Sequence, residues 1–244
     1  ATSTEAPLAE KPYLWTDDNN LVEFMQTNFE ESWHSSTDMN DYQLDAISEK
    51  ATRFIEGLRP RDHLIFVYQS SEAKYKVLLQ YLKVGLENGE AAIYVASEES
   101  PSEIGDAMKR FGIEAEKYEK MGALRILGYN DIYIIDGKFD VPTTMALWNK
   151  LYNEAMTKGF KELRVTGEMA CFFQHNLTQE LMEYERELHR ILDIPITAIC
   201  AYNAKMLSKA QNPISLYTEL VRAHRVVLFA GTDNKLGKIE IRKA

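Results

Sequence analysis

The stretch His63–Leu82, "HLIFVYQSSEAKYKVLLQYL", decides the fold. Its first six residues form an unbroken apolar run, the pattern of a strand buried on both faces. A short polar turn follows, and the remainder reads as an amphipathic helix from about Glu72 to Leu86. A phosphate-binding loop would sit at such a junction, because glycines there let several backbone N–H groups converge on phosphate oxygens. Yet no glycine occurs between Gly57 and Gly85. The junction therefore poses a choice between an ATPase that has lost its phosphate cradle and a pocket that holds something else.

Downstream, the alternation continues. "AAIYVA" is a strand and Pro101–Phe111 a helix; "ALRILG" and "DIYIID" are short strand-like runs, followed by a helix from about Pro142 to Met156. "ELRVTG" is a strand, "NLTQELMEYERELHRIL" a helix, "ITAICAY" a strand, "ISLYTELVRA" a helix and "RVVLFAG" a strand, with "KIEIRK" as a terminal edge strand. Continuous apolar strands alternating with helices predict an α/β fold with a mainly parallel sheet covered on both faces. Upstream, a loose polar lead-in precedes two amphipathic helices, one carrying Leu21, Phe24, Met25, Phe29 and Trp33, the other Leu44, Ile47, Ala51, Phe54 and Leu58. The expected division is a helical appendage over residues 1–58 and one large domain over residues 59–244.

Composition fits this picture. A chain of 244 residues, 45% hydrophobic and 27% charged, has the size and balance of one globular α/β domain with an appendage. The net charge of −9 argues against a nucleic-acid surface, which needs clustered Lys and Arg. No apolar run approaches the ~20 residues that span a bilayer. The N-terminal "ATSTEAPLAEKPY" lacks the basic and apolar regions of a signal peptide, so cytoplasmic placement is the expectation. Cys171 and Cys200 show no metal-ligand spacing and read as buried thiols.

Ligands of open parallel sheets bind outside the carboxyl ends of the strands. That rule selects Tyr68, Gln69, Glu98, Glu99, Glu168, Tyr202 and Asn203 as candidate ligand-binding residues. Glu98 and Glu99 precede a capping box at Ser100 and Glu103, so proximity to a helix end is their competing explanation. Glu168 sits between an apolar strand and "MACFF", where an ionised carboxylate needs a hydrogen-bonding or cationic partner. Glu185 falls on the apolar face of its helix. His63 and His224 begin strands, at the sheet end opposite the expected pocket. Singly they read as core or rim histidines; together they would make a pH-sensitive or metal-binding pair. No catalytic residue, metal ligand or cofactor is assigned.

Several short motifs occur in order from about Arg61 to Gly231: "DHLIFVY", "GLENGEAAIYVASEE", "LRVTGEM", "LMEYERELHRI", "ITAICAYN" and "LVRAHRVVLFAG". In them the chain resembles the MEDS domain, the methanogen/methylotroph DcmR-type sensory domain. The resemblance implies a RecA/KaiC-like scaffold without nucleotide chemistry and a sensory task directed at small molecules, hydrocarbon derivatives among them. It also implies service in prokaryotic, chiefly archaeal, signalling or transcription systems, beside DNA-binding or kinase modules. The matching positions are His63, Tyr68, Glu168, Glu185, Cys200, Tyr202 and His224, with no role attached to the histidines.

Laid over a KaiC-like phosphate loop, Tyr68 falls at the first glycine, Lys74 at the phosphate-contacting lysine and Tyr75 at the magnesium-binding hydroxyl. A lone lysine at a helix start reads as solvated. "LRVTGEM" ends in Gly-Glu where an Asp would hold magnesium. The expected function is a non-catalytic sensor that informs a partner protein and contacts neither nucleic acid nor membrane directly. A KaiC-type nucleotide-binding protein with an unorthodox loop is the alternative, and a homo-oligomeric scaffold the third reading.

Overall fold

The computed structural model describes residues 49–191, 194–224, 226–231 and 236–240. The first expected helix, around Leu21–Trp33, lies outside them. Of the second, α1 (Glu49–Glu56) is described. Among the described residues no helix is long and apolar enough to cross a membrane.

The stretch that opens the domain folds as read. His63–Tyr68 is β1, with every residue buried, and Ser71–Glu87 is α2. Both neighbours of β1 are parallel to it: β7 (Ile196–Asn203) on one side and β8 (Val226–Ala230) on the other. With β2 (Ala91–Ala96), β3 (Leu124–Gly128), β6 (Leu163–Glu168) and β9 (Leu236–Glu240) they form a seven-stranded sheet in the order β3-β2-β6-β7-β1-β8-β9. Only β9 runs antiparallel, at the edge. Parallel neighbours require crossover connections, which explains why strands and helices alternate along the chain. This is the expected mainly parallel α/β architecture.

Strand periodicity of two sorts side chains between two cores. One face carries Ile65, Val67, Ile93, Val95, Val165, Cys200 and Tyr202 and is covered by α5 (Val141–Thr157), α7 (Thr178–Ile191) and α9 (Pro213–Ala223). The other carries Leu64, Phe66, Tyr68, Tyr94, Ile199 and Ala201 and is covered by α1, α2 and α3 (Pro101–Arg110). Each Leu, Ile, Val or Phe so buried stabilises the fold by about 1.5–3 kcal/mol before conformational entropy is subtracted.

"DIYIID" departs from the strand expected there. The chain leaves β3 through a 3₁₀ turn at Tyr129–Asp131, where the Asp131 carboxylate accepts a hydrogen bond from Gly128 N at 2.8 Å. It then forms a small antiparallel hairpin, β4 (Ile134–Ile135) with β5 (Lys138–Phe139). Asp136 and Gly137, at φ of 50° and 75°, supply its two-residue turn, and Asp-Gly is the dipeptide that tolerates positive φ at both positions. Three further short helices lie among the described residues: α4 (Ala115–Lys120), α6 (Ala170–Gln174) and α8 (Ala204–Ser208).

Arg164 fastens the N-terminal helix to the sheet. It is buried on β6, its Nε 2.5 Å from Glu90 Oε2, its Nη1 donating to Ile55 O of α1 at 3.2 Å, its Cζ 5.2 Å from the Tyr81 ring centroid. Gly85 on α2 makes room: a Cβ there would lie 2.6 Å from Arg164 Cδ.

Candidate functional site

Besides the Arg164–Glu90 pair, the described residues place two polar clusters against the sheet, one on each face. The first lies at the carboxyl ends of the strands and is centred on Glu168, which is fully buried at the end of β6. Its Oε1 accepts from Tyr94 OH at 2.6 Å and from Lys74 Nζ at 2.8 Å. Its Oε2 accepts from the backbone N–H groups of Ser97 and Glu98, each at 2.7 Å. The partner that an ionised carboxylate needs in apolar company is therefore present several times over.

Lys74 is not solvated, contrary to the sequence expectation. It lies on the stripe of α2 that also carries Val77, Leu78, Tyr81 and Leu82, so helical spacing turns it into the protein. Its ammonium bridges Glu168 and Glu99, the latter at 2.5 Å, and sits 5.6 Å and 5.1 Å from the ring centroids of Tyr68 and Tyr75. Burial, then the charge and hydrogen bond of Glu99, push the Tyr75 hydroxyl well above its ordinary range, so it stays a neutral phenol.

Glu98 lines the rim. It accepts from Tyr68 OH and, at 2.9 Å, from Asn203 Nδ2. Burial raises its carboxyl to about 7, helped by the charges of Glu168 and Glu99, while the Asn203 amide pulls the other way. Gln69 is exposed at the same end, and its backbone N–H donates to Ala230 O at 3.0 Å. The loop amides that a phosphate would need are engaged further along too: Ala73 N donates to Ser70 Oγ and Lys74 N to Ser70 O, both at 3.1 Å. Ser70 is an ordinary N-cap.

Of the seven candidate ligand-binding residues, the structure brings Tyr68, Glu98, Glu99, Glu168 and Asn203 into this network, with Gln69 beside it. Tyr202 belongs elsewhere. In the β1–β7 register Tyr68 stands beside Asn203 and Tyr202 beside Val67, so Tyr202 faces the opposite core. Glu98 and Glu99 are not merely near a helix end, because each accepts from a specific side chain; Ser100 and Glu103 form their capping box independently. Sequence reading missed Tyr94 and Lys74.

The second cluster lies on that opposite face. Tyr202 OH donates to Glu185 Oε1, while Glu185 Oε2 lies 3.3 Å from both His63 Nε2 and His224 Nε2. The two Nε2 atoms are 3.2 Å apart, and His63 Nε2 is also 3.2 Å from Cys200 Sγ. His224 Nδ1 is 2.7 Å from Leu220 O; a carbonyl only accepts, so that nitrogen carries the hydrogen. All five residues are buried. Burial alone would raise the Glu185 carboxyl, but His224, His63 and the Tyr202 hydroxyl outweigh it and hold the group down to about 2. Burial and the neighbouring Glu185 charge push the Cys200 thiol well up. The two histidines, read singly as core or rim residues and together as a pair, are buried and lie in contact, and Glu185, expected on an apolar helix face and among the positions of the family resemblance, joins them. Cys171 and Cys200 are both free thiols.

Residues 62–225 match the family model of MEDS, described as the MEthanogen/methylotroph, DcmR Sensory domain. Among solved structures, a KaiC-like protein from the hyperthermophilic archaeon Pyrococcus horikoshii OT3 has a similar fold, with a TM-score of 0.51 and 18% identity over 70% of this chain and 72% of that one. At that identity the likeness concerns the fold alone, which is RecA/KaiC-like. No curated protein matches the chain in sequence.

Proposed function

The chain belongs to the MEDS sensory-domain family, and from that premise we propose that it is a non-catalytic detector of a small molecule bound at the strand-end rim. The rim groups are Gln69, Glu98, Glu99 and Asn203, above a floor of Tyr68, Lys74, Tyr94 and Glu168. A Glu98 carboxyl that titrates about 7 presents both donor and acceptor character near neutrality, which suits a hydroxylated or carbonyl-bearing, part-apolar molecule such as a hydrocarbon derivative. Occupancy would favour whichever conformation of the rim binds the molecule better, and α1, tied to the sheet through Arg164, is the element through which a partner protein would read the change.

One observation carries the reading. The lysine that stands at the phosphate-contacting position has its charge matched by Glu168 and Glu99 inside the fold. A triphosphate would have to displace two carboxylates and unmake the helix cap before meeting the backbone, and its own negative charge would face theirs.

The competing reading is a KaiC-type nucleotide-binding protein, favoured only by the shared scaffold. A thermal-shift screen of small alcohols, ketones, amines and carboxylic acids beside Mg–ATP and Mg–ADP separates the two. The sensory reading expects stabilisation by an organic molecule that is weakened in Glu98→Gln and Asn203→Ala. Magnesium-dependent stabilisation by nucleotide, with turnover abolished in Glu98→Gln, would reverse it.

A further inference from the structure

The second cluster joins a thiol, a carboxylate and two imidazoles, drawn from β1, α7, β7 and the end of α9. Two features of its geometry are unexplained by hydrogen bonds among neutral imidazoles, the thiol and the carboxylate. A ring nitrogen directs its proton or lone pair along one in-plane line, yet His63 Nε2 faces three groups: Cys200 Sγ and His224 Nε2 at 3.2 Å and Glu185 Oε2 at 3.3 Å. No single hydrogen serves all three. His224, whose Nδ1 hydrogen is committed to Leu220 O, turns the Nε2 lone pair of its neutral form toward the carboxylate oxygen 3.3 Å away. Two acceptors then confront each other with no donor between them.

We propose that His63, His224, Glu185 and Cys200 bind one divalent transition-metal ion of the zinc class. An ion at the centre of the set gives every lone pair a common target. Nitrogen and oxygen ligands about 2.0–2.1 Å from a tetrahedral zinc lie about 3.3–3.4 Å from one another. The His63, His224 and Glu185 atoms already stand 3.2, 3.3 and 3.3 Å apart. The donor atoms of His63, Glu185 and Cys200 fall within 4.8 Å of one another; His224 lies outside that set, so its ring and the Cys200 thiol must draw together for all four to share one ion. Imidazole, thiolate and carboxylate are the ligands zinc takes.

Charge agrees with geometry. One thiolate, one carboxylate and two neutral imidazoles sum to −2, which a divalent ion cancels, leaving no net charge in a site closed to solvent. The surrounding contacts are those of a metal site: Leu220 O fixes the ring and tautomer of His224, and Tyr202 OH holds the second oxygen of Glu185. Four protein ligands leave no position for a substrate, so the ion clamps α7 and α9 to the sheet rather than performing chemistry. The site lies on the opposite face from the strand-end network, and its fate is independent of the sensory reading.

Because the site is enclosed, the ion must enter during folding, and the test loads it there. The full chain is refolded with zinc(II) or cobalt(II), freed of loose metal by gel filtration and measured for metal content and absorption. The expected result is about one ion per chain. Its cobalt form should show a thiolate-to-cobalt charge-transfer band and the intense visible bands of a tetrahedral ion. Cys171→Ser should keep the charge-transfer band and Cys200→Ser should lose it; Glu185→Gln and His224→Ala should lower the metal content. Should those last variants fail to fold, the wild-type spectrum and the two cysteine variants still decide. Refolded wild type without stoichiometric metal would overturn the proposal in favour of an imidazolium–carboxylate pair. A charge-transfer band surviving in Cys200→Ser would overturn it as well.

Discussion

Replacing Lys74 by methionine keeps the buried stem and deletes the ammonium. In the native protein that ammonium lies 2.8 Å from Glu168 and 2.5 Å from Glu99; the Lys74 and Glu168 side chains are wholly enclosed and that of Glu99 is 21% exposed. Removing one partner of a buried ion pair costs about 3–5 kcal/mol, chiefly because the other charge is left uncompensated. Glu168 would retain Tyr94 OH and two backbone N–H donors, which puts the expected loss near the lower end, about 3 kcal/mol. For a chain of this size that is a fall of roughly 6–12 °C in Tm. The double variant Lys74→Met/Glu168→Gln removes the fully enclosed stranded charge, leaving unpaired only the part-exposed Glu99, and should be more stable than Lys74→Met alone. Urea and thermal unfolding followed by circular dichroism measure both. A loss under about 1 kcal/mol, typical of an exposed lysine, would refute the internal-pairing argument. So would a double variant weaker than the single one.

The Glu98 carboxyl titrates higher in the folded protein, about 7 against an ordinary 4.5, mainly through burial, so the folded state binds its proton more tightly than the unfolded chain. Stability should therefore fall as pH rises across that window and more gently in Glu98→Gln; parallel unfolding curves for the two proteins would contradict this. Arg164→Met strands Glu90 and removes the donor to Ile55 O, with an expected loss of about 3 kcal/mol and faster tryptic cleavage at Arg53 in α1. Unchanged cleavage would mean that α1 is held by other contacts. Tyr202→Phe removes a buried donor to the Glu185 carboxylate and should cost about 1.5–3 kcal/mol in denaturant unfolding, while a change within about 0.5 kcal/mol would show the hydroxyl to be dispensable.

The strands were readable because each of β1, β2 and β6 is buried along its whole length, so the apolar or strand-like run is continuous and no partner need be known. The hairpin after β3 was hidden because "DIYIID" has strand composition; its signal was Asp136-Gly137, a turn dipeptide that outweighs the run around it. At the site, the strand-end rule chose an end of the sheet but not a face. Parity would have placed Tyr68 with Asn203 and set Tyr202 apart, since adjacent residues of a strand point to opposite sides. Lys74 was misjudged because its type suggests solvent while its place on the α2 stripe demands burial. The convergence of Glu185 and Cys200 on the two histidines joins residues up to 161 positions apart, a distance at which local patterns are silent.

The loop after β1 turns its lysine and its amides inward, and on the proposed function it receives no nucleotide. Titration calorimetry of Mg–ATP into the protein tests it most directly. The account predicts no saturable heat at nucleotide concentrations up to about 1 mM, a limit that excludes affinities stronger than about −4 kcal/mol. One-to-one, magnesium-dependent binding that vanishes in Lys74→Met would contradict it.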